Sequence, residues 1–359
     1  MPERIYNFSP GPATLPVEVL QQAAIDIVNY NNRGIGLIEL SHRGKDFMAV
    51  AEEAEALVRE LLNIPAHYKV LFLQGGASTQ FAMVPMNLLG SGKKGSYLNT
   101  GVWAKKAIKE ANIVASAHVA YSSEPNKYDH VPVDSDYTVD PDAEYLYFVS
   151  NNTIYGTQFH TMPKSDKMLV CDMSSDIMSR PFAMEPFGLV FAGAQKNIGP
   201  AGATLVIVRD DLLDRVPETV PTMFRYKTHA DNGSMFNTPP CFAIYIIGLV
   251  CKWLKKMGGV PAIEKINREK AAILYDAIDA SDFFRGHAHK DSRSLMNVTF
   301  NLPTPELEKK FIEEAAKQGL DGLKGHRSIG GIRASIYNAF PKQGVIDLVA
   351  FMKEFEKSA

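Results

Sequence analysis

The chain has 359 residues, 46% hydrophobic and 10% aromatic, enough to bury a sizeable core and more than one domain of ordinary size would use. Lys and Arg number 38 against 40 Asp and Glu, so the formal net charge of -2 excludes the global basic field that draws in nucleic acid or an anionic membrane. The three cysteines, Cys171, Cys241 and Cys251, make no C-x-x-C pair and no zinc spacing, and so sparse and odd a set fits a reducing compartment.

The first stretch, MPERIYNFSPGPATLP, carries charge and proline where a signal peptide needs an apolar run, which sets the expectation of a cytoplasmic protein. From about Ala51 the helix-period segment AEEAEALVRELL precedes a short β-rich run, YKVLFL, a glycine turn, QGGAST, and a further helix. The pattern returns as GSYLN before TGVWAKKAIKEA, EYLYFVS before NNTIYG, KMLVC before DMSSD, and LVFAG before AQKNIG, with ATLVIVR as the next strand. Strands alternating with helices predict an α/β fold built on a mostly parallel sheet between helices. PPCFAIYIIGLVC, Pro239 to Cys251, is too short to span a bilayer and runs into KWLKK, so it predicts a buried or interface helix. After MGGVPAIEKINREKAAILYDAID come a strand, SLMNVTF, a helix, ELEKKFIEEAAKQGL, the segment GLKGHRSIGGIRASIYN and a final helix, VIDLVAFMKEFEK. The expected organisation is an N-terminal arm over 1–15, a large domain over 16–260 and a smaller C-terminal α/β domain over 261–359, with no internal repeat.

In such sheets ligands bind beyond the carboxyl ends of the strands, so the residues just after each run are the ones to read for chemistry. They are Gly75-Gly76-Ala77-Ser78, Trp103, Thr153, Asp172 and Lys196. A small-residue turn entering a helix offers backbone N–H groups to a phosphate, and Ser78 adds a hydroxyl, although glycine turns after strands are common. Trp103 offers a face for a stacked ring or simply fills the core. Asp172, ending an apolar strand, suits a protonated pyridine nitrogen or caps the next segment. Lys196, flanked by two strands, is either a surface lysine or a desolvated amine able to form a Schiff base. Taken together and in this order, they describe a pyridoxal 5′-phosphate site.

The strings NFSPGPATLP, ELSHRGKDF, FAGAQKNIGPAG, DNGSMFNTPP and GHRSIGGIRASIYNAF resemble the phosphoserine aminotransferase family, class V members of the fold type I pyridoxal-phosphate enzymes, nearly end to end. The resemblance implies a seven-stranded-type large-domain sheet, with Lys196 covalently joined to the cofactor, Asp172 on its ring nitrogen and Trp103 stacked on the ring. It also implies that Thr153 and Gln195 bind the cofactor, that Ala77 and Ser78 hold its phosphate, and that Asn237 and Thr238 reach that phosphate from the partner subunit of a homodimer. In some family members the turn reads glycine-arginine where this chain has Ala77-Ser78, and that arginine helps to hold the substrate phosphate; other members carry alanine-serine, as here.

Two His-Arg pairs, His42-Arg43 and His326-Arg327, stand far apart in a nearly neutral chain. Arginine suits phosphate through paired, charge-assisted hydrogen bonds, though solvated loops explain each pair alone. Arg333 lies in GGIRASIY, where strand alternation sets it on one face with Ser335. The resemblance implies that Arg333 grips the α-carboxylate of the amino acid, that His42, Arg43, His326 and Arg327 hold the far phosphate or carboxylate, and that Ser9 also contacts substrate. His42 and Arg43 would enter the site of the other subunit. The implied reaction moves the amino group of L-glutamate to 3-phosphohydroxypyruvate, with 4-phosphohydroxy-L-threonine of pyridoxine biosynthesis as a further substrate and no metal. Another class V transaminase, such as an alanine–glyoxylate type, remains the alternative. A cysteine desulfurase lacks its mobile-loop cysteine here, a nucleotide-binding protein lacks G-x-x-x-x-G-K-[ST], and a non-catalytic binding module would have no use for both Asp172 and Lys196.

Overall fold

The apolar runs between the glycine turns are strands of one seven-stranded sheet, as seen in a computed structural model that describes residues 4–359. In spatial order the strands are Tyr68–Leu73, Thr204–Arg209, Phe187–Gly193, Met168–Asp172, Ala143–Val149, Lys94–Asn99 and Ser116–Ser122. All pairings are parallel except those of Thr204–Arg209, which runs antiparallel to both neighbours. The cause is the link over residues 194–203, which is too short for the helical crossover that parallel neighbours require. Ser116–Ser122 is an edge strand that the sequence reading does not contain; its composition, SAHVAYS, forms no apolar run because half of it faces solvent.

Side chains alternate across the sheet and build a layer on each face. Val70 and Phe72 pack in one layer with Phe47, Ala54 and Ile247, under the helices Lys45–Leu62 and Cys241–Lys256. Leu71 and Leu73 pack in the opposite layer with Phe81, Val84 and Ala107, under Gly76–Leu88 and Val102–Val114. Cys241–Lys256 is thus a core helix, and no helix of the described residues is long and apolar enough to cross a membrane.

A second core gathers around Phe311, Phe351, Phe355 and Leu274, between the antiparallel strands Arg285–Gly286, Asn297–Asn301 and Ile332–Ser335 and the helices Pro305–Lys317 and Lys342–Ser358. Thr304 caps the first of these helices by accepting from the Leu307 N–H at 3.3 Å, with Pro305 at the first helical position. The long helix Gly259–Asp279 serves both cores: Val260 and Ile263 pack in the first, Ala271, Leu274 and Ile278 in the second. Between them lies a fully buried lysine, Lys270, whose ammonium donates to the carbonyls of Ile336 at 3.0 Å, Tyr337 at 2.6 Å and Phe340 at 3.1 Å. The chain's beginning joins the second core as well. Tyr6–Asn7 pairs in parallel with Leu320–Asp321, and Phe8, with no exposure, contributes the roughly 1.5–3 kcal/mol expected of a fully buried phenylalanine.

Candidate active site

Six strands end at one edge of the large sheet, at Leu73, Asn99, Ser122, Val149, Asp172 and Gly193, because they run parallel to one another. The segments that leave this edge carry the residues singled out from the sequence. Beyond Leu73 the turn enters the helix Gly76–Leu88 through Gly75, at φ 91°, where a Cβ would lie 2.0 Å from Thr79 Oγ1 and no other residue fits. Ala77 is half-buried and Ser78 exposed in the first turn of that helix, next to N–H groups that no backbone partner reaches. Asn237 donates to Gln74 Oε1 at 3.0 Å, and Gln74 donates to the Thr238 carbonyl at 3.4 Å. The chain's own 237–238 segment therefore borders the same turn, on the wall of a cavity of about 310 Å³.

Lys196 sits in the short link that reverses the strand direction. The Ala194 N–H donates to Ala203 at 3.0 Å and the Gly199 N–H to Ala194 at 2.8 Å, while buried Asn197 accepts from the Asn338 N–H at 3.0 Å. In the loop held this way, Lys196 Nζ donates to Thr153 Oγ1 at 2.7 Å. Burial lowers the amine to about 8 from the ordinary 10.5; the Arg333 charge acts in the same direction and Asp172 against it. Gln195 is half-buried, and its carbonyl accepts from the Ala13 N–H at 2.9 Å. The N-terminal arm passes so close that a Cβ on Gly11 would stand 3.3 Å from Lys196 Cγ.

Asp172 ends its strand fully enclosed, and one carboxylate oxygen accepts from the Ser174 N–H at 2.9 Å. Burial raises its pKa, against the Ser174 hydrogen bonds and the Lys196 charge, and no residue in the described chain forms an ion pair with it. Arg333 is 7% exposed, donates only a long 3.4 Å bond to the Thr153 carbonyl, and leaves Nε without a partner. A buried guanidinium with no carboxylate calls for an anion from outside the chain. Trp103, half-buried, packs on Phe81, carries Lys106 Nζ at 4.6 Å over its ring, and leaves Nε1 unpartnered.

His326 accepts from or donates to Ser328 Oγ at 2.7 Å, and burial together with the charges of Arg333, Arg327 and Lys106 lowers its pKa. Arg327 is exposed. His42 and Arg43 face each other at 3.2 Å on the loop before Lys45–Leu62, with no hydrogen bond to the Lys196 cluster. Ser9 rests against Gly322, where a Cβ would come within 2.7 Å of its Oγ. Within one chain, then, Lys196, Thr153 and Arg333 are joined directly, Asp172 and His326 by charge, and the His42-Arg43 pair stands apart.

Two residues were not singled out from the sequence. Ser174 fixes Asp172 through its N–H and receives the Gly193 N–H on its hydroxyl at 3.0 Å, locking the two strand ends that carry Asp172 and Lys196. Asp176, also buried, accepts from Ser150 and from Gln158 at 3.0 Å and lies 3.8 Å from Arg180. The string DMSSD shows two acids four apart just after a strand, but what buries Asp176 is its pairing with Ser150 and Gln158, which lie elsewhere in the chain.

A lysine with a depressed pKa, a buried carboxylate lacking a cation, a stacking ring and an N–H-rich helix start fit a phosphorylated pyridine aldehyde: a protonated ring nitrogen answers Asp172, and an anion answers the helix start. The fold and site define a pyridoxal-phosphate-dependent aminotransferase of fold type I. The model of the aminotransferase class-V family matches residues 5–348, and the chain belongs to that family, whose cofactor is pyridoxal 5′-phosphate. The phosphoserine aminotransferase of Desulfotalea psychrophila is 68% identical over 355 residues, covering 99% of this chain and 98% of that protein. The phosphoserine aminotransferase of Nitrosomonas europaea is 54% identical, with 99% of each chain covered. Among solved structures, the phosphoserine aminotransferase of Bacillus circulans subsp. alkalophilus superposes with a TM-score of 0.97 at 50% identity, covering 99% of both chains. An alanine–glyoxylate aminotransferase from Nostoc sp., at 13% identity and a TM-score of 0.74 over 99% of this chain and 96% of that one, shares the fold alone.

Proposed function

We propose that the chain transfers the amino group of L-glutamate to 3-phosphohydroxypyruvate, giving O-phospho-L-serine and 2-oxoglutarate in serine biosynthesis. The observation that carries this reading is the unpaired, buried Arg333 beside Lys196, in a chain 68% identical to a phosphoserine aminotransferase over nearly its whole length. The alanine–glyoxylate alternative rests on fold likeness only.

Each residue has a role in this reading. Asp172 would hold the ring nitrogen of the cofactor, Trp103 one ring face, Thr153 and Gln195 its substituents, and Ala77, Ser78 and the helix start its phosphate. Bound there, the cofactor acts as an electron sink that lets an α-proton leave the amino acid. Arg333 binds the α-carboxylate with paired N–H groups and so turns the Cα–H bond toward Lys196. Lys196 Nζ, its pKa lowered to about 8, would take that proton from Cα and, within the same half-reaction, hand it to the carbon derived from the cofactor's aldehyde; the opposite half-reaction runs the same transfer in reverse. His326 and Arg327, with His42 and Arg43 of the partner subunit, hold the substrate's phosphate or the glutamate γ-carboxylate, and Ser9 closes the pocket. The same pocket takes 4-phosphohydroxy-L-threonine, whose far anion is also a phosphate.

The shared site presupposes a homodimer. Its support is the exposure of apolar side chains, Ile25 at 62% and Val28 at 74% on one helix, and Met223, Phe224 and Phe236 near the 237–238 segment. Because that segment borders the glycine turn, a two-fold axis nearby would bring Asn237 and Thr238 of each subunit to the other's phosphate turn. The division into an arm, a large domain through 260 and a small domain from 261, and a cytoplasmic location, belong to the same reading. The deciding experiment is the absorption spectrum of the purified protein before and after glutamate, followed by turnover with 3-phosphohydroxypyruvate and 4-phosphohydroxy-L-threonine. Faster amination of glyoxylate than of 3-phosphohydroxypyruvate would overturn the assignment.

A further inference from the structure

Away from this site, two distant segments bring histidine and aspartate side chains to one point. Asp129 and His130 follow the edge strand Ser116–Ser122, and His289 precedes the strand Asn297–Asn301 of the second core. One ligand atom from each of the three lies within 4.8 Å of the other two. His130 Nδ1 is 2.6 Å from Asp129 Oδ1, and His289 Nε2 is 3.2 Å from Asp129 Oδ2. The imidazole rings are stacked, 5.2 Å apart and 17° from parallel, so both present an edge to the same carboxylate. The backbone fixes the arrangement: the His289 N–H donates to the Asp129 carbonyl at 2.9 Å, and the Val131 N–H to Ser292 Oγ at 3.1 Å.

We propose that Asp129, His130 and His289 form a site for one divalent transition-metal ion of the zinc class. Two imidazole nitrogens and one carboxylate oxygen, with open positions for water, are the donor set such ions prefer over magnesium or calcium. Behind His130 there is already an outer partner, because Tyr121 Oη lies 2.6 Å from His130 Nε2. On binding, the ion takes the place of the hydrogen between His130 Nδ1 and Asp129; the neutral ring then carries its one N–H on Nε2 and donates it to Tyr121 Oη, and any proton left over goes to solvent. The open positions face a cavity of about 490 Å³ that His130, His289 and His160 help to line. The ion ties the loop after the large sheet's edge strand to the lead-in of the second core. One residue from Asp129, Tyr128 packs on Tyr155 at 4.7 Å, in a cluster that also touches Trp103 and Ile329. The tie therefore stands directly behind the wall of the aminotransferase site.

The test uses untagged holoenzyme dialysed against chelator and titrated with Co²⁺ and then Zn²⁺. The expected result is one ion per chain, a visible ligand-field band with Co²⁺ that Zn²⁺ abolishes, and a thermal midpoint raised by Zn²⁺. His289→Ala, whose imidazole is 63% exposed and not needed for folding, should lose all three signals while keeping its cofactor absorbance. Tyr121→Phe should retain the site with roughly tenfold weaker affinity, the lower end of what losing an outer partner costs. Binding of no ion by the wild type, or binding that His289→Ala and Asp129→Asn leave unchanged, would overturn the proposal.

Discussion

Lys196 and Arg333 meet at one residue: the hydroxyl of Thr153 accepts the lysine amine at 2.7 Å, and its carbonyl accepts the arginine at 3.4 Å. The proton carrier and the proposed carboxylate clamp are thereby held in a fixed relation before any substrate arrives, and the Arg333 charge weakens the lysine's hold on its proton. This pairing makes the amine's state measurable.

Covalent capture of pyridoxal phosphate by the apoprotein requires the neutral amine, so trapping with borohydride should rise through about pH 8 instead of near the ordinary 10.5. In Lys196→Ala the cofactor should still bind, but borohydride should fix none of it. Label mapped to another lysine would show the assignment to be wrong.

The two arginines should separate kinetically. Arg327→Ala weakens phosphoserine and glutamate and spares the slow turnover of alanine, whereas Arg333→Ala weakens all three. The loss is roughly 2–5 kcal/mol for a buried paired contact, and the exposed Arg327 should fall toward the low end. Comparison of kcat/KM for the three donors checks this, and equal losses for alanine in both variants would refute the division.

A composite site can be complemented. Lys196→Ala and Arg43→Ala are each nearly inactive as homodimers, but their heterodimer contains one site with both residues intact. Random reassortment of equal amounts should restore roughly a quarter of wild-type turnover, concentrated in the fraction purified by both tags. An inactive, cofactor-loaded heterodimer would place Arg43 in its own subunit's site.

Lys270 makes stability depend on pH. Burial lowers this lysine to about 7, while an unfolded chain keeps its proton up to about 10.5, so the unfolded state binds more protons between those values and stability rises with pH there. The slope is at most about 1.4 kcal/mol per pH unit for one group. Measured in a Lys196→Ala background, where no second buried lysine contributes, denaturant midpoints should climb from pH 7 to about 8, below the range in which the buried thiols of Cys171 and Cys251, held above their ordinary pKa, turn the slope the other way. Lys270→Met should flatten that climb and cost about 1–3 kcal/mol near neutral pH through the carbonyls left unpaired. A slope that survives the substitution would move its origin elsewhere.

The strands that hold the site were readable because each is a buried run such as LVFAG, closed by glycine or a turn, and because ligand chemistry collects at carboxyl ends. Lys196, Asp172 and Thr153 could be picked out on that rule alone. The direction of Thr204–Arg209 was not readable from its apolar pattern, which is identical for parallel and antiparallel neighbours; only the brevity of the link decides it. Asp176 and Lys270 escaped because burial of a charged side chain depends on partners that local sequence does not contain: Ser150 and Gln158 for one, the carbonyls after Ile332–Ser335 for the other. Asp129 and His289 likewise become neighbours only through the packing of segments far apart in the chain.

Because Phe8 lies inside the core built from residues 271–355, and Tyr6–Asn7 needs Leu320–Asp321 as its partner strand, residues 6–8 find their place only after segments far downstream in the chain have been made. During synthesis the large sheet can close as soon as Thr204–Arg209 emerges, but the arm must wait, with Gly11 and Ala13 unable to settle against Gln195 and Lys196 until the C-terminal core exists. Maturation of the lysine's surroundings is thus coupled to synthesis of the second core. A chain released early would hold a formed sheet beside an open, unfinished pocket.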